Sequence, residues 1–117
     1  MRTLKLLIVT ALCLTTVTGC KSDAERAVDK MEELSYKFIN DLNNAKTKEE
    51  AINARREYRE RGAFELQKIM KAGSEREAED KLEQDWHNLE WDDVQRFQKT
   101  DKEVDKAWEN AKKRFNQ

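Results

Sequence analysis

The chain has 117 residues, 40% of them charged and 38% hydrophobic, with three glycines, no proline and a formal net charge of -1. That length allows one domain at most, and the near-neutral balance gives no basic footprint for nucleic acid. Without proline and with little glycine there are few punctuators for a many-turned β fold, whereas Glu, Lys, Arg, Ala, Gln and Leu favour helix. Apolar residues recur at regular intervals and three Trp require burial, which argues against disorder despite the high charge.

The first nineteen residues divide into three parts. Arg2 and Lys5 make a positive start, Leu6 to Leu14 form an apolar run too short to span a bilayer, and Val17-Thr18-Gly19-Cys20 closes the segment with small residues and a cysteine. This layout resembles the signal peptide and lipobox of bacterial lipoproteins. The resemblance implies that residues 1–19 are removed and that Cys20 receives S-diacylglycerol and an N-acyl chain. Residues 20–22 would then be a short tether, and 23–117 the folded domain. Lys21 after the cysteine, with the first acid at Asp23, implies the outer membrane of a Gram-negative envelope. Cys13 would leave with the signal, so the mature body would hold no free thiol and no disulfide. The removed segment contains two bases and no acid, so 21 basic and 24 acidic residues remain, a balance near -3.

Beyond the leader only Ser22, Ser35, Thr47, Ser74 and Thr100 carry hydroxyls of Ser or Thr type, and four of these five have Glu three residues later. Ser22 with Glu25, Thr47 with Glu50, Ser74 with Glu77 and Thr100 with Glu103 all match the capping-box spacing. Asn43-Asn44 and Ala72-Gly73 supply stops between them, with Gly73 suited to a left-handed position after a helix. The expected helices are therefore 23–44, 48–72, 75–99 and 101–115, the last two joined without Gly or Pro and so conceivable as one rod. The fold class is all-α, a small antiparallel bundle of three to four amphipathic helices.

At 100° per residue, Ala24, Ala27, Val28, Met31, Leu34, Phe38, Leu42 and Ala45 share one face of the first helix. The second aligns Ala51, Ala54, Tyr58, Gly62, Leu66 and Ile69, with Ile52 and Met70 at the edge. The fourth aligns Val104, Ala107, Trp108, Ala111 and Phe115. The third carries two stripes: Ala78, Leu82, Trp86, Leu89 and Phe97, and opposite them His87, Trp91 and Val94. Either this helix is central and covered on both sides, or its second face meets a partner. Gly62-Ala63 in mid-helix reads as a site of close helix approach or of a kink.

Signs of catalysis are lacking. His87 is the only histidine; Glu83 and Glu90 stand near it on a helix, but a zinc or di-iron site needs more good ligands than one imidazole supplies. No G-x-S-x-G elbow, glycine-rich phosphate loop or C-x-x-C-H haem attachment occurs, and the hydroxyls are taken up as caps. The sequence therefore predicts no enzyme, no cofactor and no metal. Arg55, Arg56, Arg59 and Arg61 fall within seven residues, suited to phosphate, anionic lipid, lipopolysaccharide or glycan. Alternatively Glu57 and Glu60 neutralise them through i, i+4 pairs, Arg56 with Glu60 and Glu57 with Arg61. The leading functional expectation is a lipid-tethered interaction protein with an envelope protein as partner. A small anion-binding module and a surface-exposed, host-interacting lipoprotein are the alternatives.

Overall fold

The computed structural model describes residues 21–116. Four α-helices follow in order: α1 (Asp23–Asn44), α2 (Lys48–Met70), α3 (Glu75–Gln84) and α4 (Trp91–Phe115), with a 3₁₀ turn, Trp86–Asn88, between the last two. The described residues are all-α with no strand. None of their helices is long and apolar enough to cross a membrane. The segment read as a signal peptide, and Cys20, lie outside the described residues.

Three of the four spaced Glu pairs act at helix starts. Ser22 makes the full reciprocal box: its Oγ accepts from the Glu25 amide at 3.1 Å and Glu25 Oε1 accepts from the Ser22 amide at 2.9 Å. Thr47 and Ser74 accept from the amides of Glu50 and Glu77, both at 3.1 Å. Their Glu carboxylates reach one residue further back, to the amides of Lys46 (2.9 Å) and Gly73 (3.3 Å). Each satisfies donors that the helix start leaves orphaned.

Thr100 is different. It is buried inside α4, where its hydroxyl donates to the carbonyl of Arg96 at 2.7 Å, the i–4 back-bond open to a mid-helix threonine. Glu103 instead accepts from the Tyr36 hydroxyl of α1 at 3.1 Å. The expected boundary at 99–101 therefore moves to 85–90. There the amides of Asn88 and Leu89 bond to the carbonyls of Asp85 (2.9 Å) and Trp86 (3.1 Å) in a 3₁₀ turn. The break has a packing cause. On one straight helix Trp86 and Phe97 would stand three turns, about 16 Å, apart. The reversal brings their rings edge to face at 5.3 Å.

The end of α2 also departs from expectation. Lys71, not Gly73, takes the left-handed conformation (φ 55°, ψ 49°), and the Ala72 amide closes a 2.9 Å bond to the Gln67 carbonyl in the Schellman pattern. Gly62 serves no close approach, since a Cβ placed there meets nothing within 4 Å.

The central element is α1, rather than the third helix. Both α2 and α4 pack along α1, and α3 braces the end where α1 begins. The run of contacts gives the directions. Arg96 meets Asp29, Tyr36 meets Glu103, and Arg114 meets Leu42, so α4 runs parallel to α1. Lys37 meets Glu57 and Asp23 meets Lys71, so α2 runs antiparallel to it. The result is an up–down–up bundle with a short cross-brace.

Its core has two centres. At the beginning of α1, Ala27 packs with Leu66, Met70 and Ala78. Further along, Phe38 and Leu42 pack with Ala51, Val104 and Ala111. Phe38 stacks on Tyr58 of α2 with ring centroids 4.5 Å apart and 6° between planes, and lies 6.4 Å from Trp108 of α4. Ser35 is buried beside it and shares a 3.0 Å hydroxyl–hydroxyl bond with Tyr58, a polar pair that the stripe of α1 does not announce. The core-facing stripes are buried or half-buried along their length, and of the two edge positions on α2 Met70 is buried whereas Ile52 is 41% exposed. Phe38→Ala should cost about 3–5 kcal/mol in urea unfolding, because one ring is lost from contact with two helices at once; a loss below about 1 kcal/mol would contradict this account of the core.

Candidate functional site

The two outer helices, α2 and α4, are joined through α1 more than through each other, and a trough runs between them on the side away from α1. Its wider part, about 370 Å³, is lined by Ile52, Arg55, Arg56, Arg59 and Glu60 of α2 and by Trp108 of α4. A second part of about 210 Å³ continues from Ile52 and Trp108 past Ala111 to Phe115, with Lys48 and Lys112 at its edges. Small Ala51 and Ala111 leave the floor low, while Trp108 and Ile52 make it apolar. Cations crown it.

The arginines are not neutralised in the way their spacing suggests. Lys37 of α1 reaches across to Glu57 at 2.8 Å, and also to Asp41 at 2.9 Å, which draws Glu57 away from Arg61. These carboxylates raise the Lys37 pKa above its ordinary value, the hydrogen bond it donates to Glu57 contributing most. Arg56 donates to Asn53 Oδ1 at 2.8 Å rather than pairing with Glu60. Arg55 lays its guanidinium 4.9 Å above the centre of the Trp108 ring. Among the described residues none of the four arginines forms an ion pair. They also separate: Arg55, Arg56 and Arg59 line the trough, whereas Arg61 turns to the opposite flank of α2 near Lys37, Asp41 and Glu57.

The second stripe expected on the third helix is not one helical face. His87 is exposed on the 3₁₀ turn, Trp91 is the first residue of α4 and 72% exposed, and Val94 is half-buried one turn later. The six-residue break between α3 and α4 removes the common helix that would align them. Glu90 lies away from any histidine site: its carboxylate converges with those of Glu25 and Asp93, their oxygens all within 4.8 Å. His87 and Glu83 are not part of that group.

Sequence reasoning missed a charged hub at the same end. Arg96 of α4 reaches Asp29 at 2.7 Å, Asp93 at 3.0 Å and Glu32 at 3.4 Å. Lys21 reaches the other oxygen of Asp29 at 2.7 Å. Burial pushes the Asp29 carboxyl upward, but the hydrogen bonds from Lys21 and Arg96 outweigh it and hold the pKa below the ordinary value. Two further cations close helix ends from outside: Arg114 donates to the carbonyls of Leu42 (2.7 Å) and Ala45 (3.2 Å), and Lys81 to that of Lys71 (2.9 Å). Both satisfy carbonyls that a helix C-terminus leaves open. No periodicity signals such long-range partners.

Comparisons with protein-family models, with curated proteins and with solved structures return no match. The functional reading rests on the residues themselves.

Because the native pKa of Asp29 is depressed, its contribution is complete above the unfolded value of about 3.9 and is lost as pH falls through the lower native value. Asp29→Asn should therefore cost about 1 kcal/mol at pH 7, discounted for partial exposure, with the gap to the parent shrinking below about pH 4. Urea unfolding across that range checks it, and a gap independent of pH would remove the hub from the stability of the bundle.

Proposed function

We propose that this chain is a non-catalytic lipoprotein of the bacterial cell envelope, held by acyl chains on Cys20 in the outer membrane of a Gram-negative cell, where its helical bundle engages another envelope protein. The observation that carries this reading is the three-part leader ending in Val17-Thr18-Gly19-Cys20. Two acyl chains suffice for stable anchoring, and a processed Cys20 would carry up to three.

The body fits such a tether. Ser22 caps α1 only two residues after Cys20, and the single intervening side chain, Lys21, is held to Asp29 of α1. A lipid on Cys20 would therefore hold the beginning of α1 against the headgroups with almost no slack. The same end of the bundle carries the start of α4, since Glu90 and Asp93 converge on Glu25 in the first turn of α1. Trp91 stands there exposed, with His87 just before it on the 3₁₀ turn and Val94 one turn further on. This is the surface assigned to the partner. A large exposed indole is the type of group that interfaces use as an anchor.

Metabolic labelling with a palmitate analogue tests the tether. The parent chain should be labelled and Cys20→Ala should not, with the variant retaining its precursor mass; an unlabelled parent, or label that persists in Cys20→Ala, would end the proposal. The partner surface is tested separately, by crosslinking in intact cells. Trp91→Ala combined with His87→Ala should abolish a crosslinked species that the parent forms, and an unchanged pattern would remove these residues from the interface.

A further inference from the structure

We infer that the trough between α2 and α4 binds a single-chain anionic amphiphile, its acid group among Arg55, Arg56 and Arg59 and its acyl tail along Ile52, Trp108 and Phe115. The inference goes beyond the tether on Cys20 and does not depend on it.

Charge selects the sign of the ligand. Three guanidiniums line the wide part of the trough against one carboxylate, Glu60, and none of the three forms an ion pair within the described residues. At the narrow part Lys48 and Lys112 add positive charge, though Lys112 also reaches Glu109 at 2.8 Å. Arg55 is already positioned: its guanidinium carbon lies 4.9 Å from the centre of the Trp108 ring, and no described residue accepts a hydrogen bond from its N–H edges. Those edges are what carboxylate and phosphate oxygens accept from in a bidentate pair.

Shape and polarity select the rest. A bare anion would leave the apolar floor wet, and a bare hydrocarbon would leave the arginines unused. The floor runs from Trp108 to Phe115, seven residues or about 10 Å of helix, which suits one acyl chain of medium length lying between two helices. A bilayer face is too broad to enter that cleft.

The test uses full-length protein purified from cells, held in phosphatidylcholine nanodiscs, with Trp86→Phe and Trp91→Phe so that Trp108 is the one reporting indole. A chain that proves to lack the lipid is assayed in plain buffer, so failure of the tether and failure of the trough are read apart. Dodecanoate should shift Trp108 emission saturably, and a photoactivatable dodecanoate should crosslink to α2 and α4 around Ile52 and Trp108. Arg55→Gln with Arg59→Gln, both at exposed positions, should weaken dodecanoate binding at least tenfold with unchanged helical circular dichroism. Dodecanol should bind at least tenfold more weakly than dodecanoate to the parent. Equal binding of dodecanol and dodecanoate, no saturable shift, or crosslinks spread over the basic surface in proportion to anionic lipid added to the discs would each overturn the inference, the last by making the patch a bilayer contact.

Discussion

The ring of Phe38 is where the three long helices meet. It projects from α1 between Tyr58 of α2 and Trp108 of α4, stacked on the first and tilted against the second. Around it the outer helices contribute mainly small or half-buried groups, Ala51, Ala54, Ala107 and Ala111. The three rings set among these alanines let both outer helices come down onto the spine. The same wedge keeps them from closing on each other, so their far sides remain open between Ile52 and Trp108. Core and trough are thus two faces of one packing decision.

Charge is divided along the same lines. Cations directed toward α1 or toward helix ends are engaged: Arg96 with Asp29, Arg114 with the Leu42 carbonyl near the end of α1, Lys81 with the carbonyl of Lys71 just past α2. α1 has no basic residue in its own last turn, so Arg114 of α4 provides the positive charge that this end of the helix dipole favours. Cations on the outer side of α2 have no such duty. The decisive exchange is at Lys37, whose bond to Glu57 strengthens the α1–α2 contact and at the same time frees Arg61 from its expected neighbour. On the trough side of α2 this leaves Arg55, Arg56 and Arg59 against one carboxylate, Glu60, although the chain as a whole is slightly acidic.

Local chemistry made the three helix starts at Ser22, Thr47 and Ser74 legible, because a cap is a bond between residues three apart and needs nothing distant. Thr100 shows where that logic stops. Its spacing to Glu103 is the same, yet no Gly, Pro or Asn interrupts Gln98-Lys99-Thr100-Asp101, and a hydroxyl inside a continuing helix bonds back to the preceding turn instead. The real break, at Asp85 to Glu90, is fixed by Trp86 meeting Phe97, a contact that exists only after the chain has turned. Periodicity likewise placed Trp108 in the core and Ile52 at an edge, both fairly. It could not place them beside each other, since nothing in the pattern says that α2 and α4 flank one spine. The arginine cluster was visible as a run; that three of its members share a cleft with an indole was not.

The up–down–up order also fixes where the two proposed activities sit relative to one another. From Ser22 to Phe38 along α1 is sixteen residues, about 24 Å of helix. A lipid on Cys20 would join the exposed Trp91 at one end of that distance, and the trough beside Trp108 lies toward the other. Because Lys21, paired with Asp29, is the one residue between Cys20 and the cap, a lipid on Cys20 would give the spine far less reach than a long linker. An amphiphile in the trough would then be carried at a set height from the anchored end rather than in the headgroup layer. With a lipid on Cys20, the short link, the α1 spine and the aromatic wedge would act in series, so a change that loosens any one of them would alter the position of the trough without touching a residue that lines it.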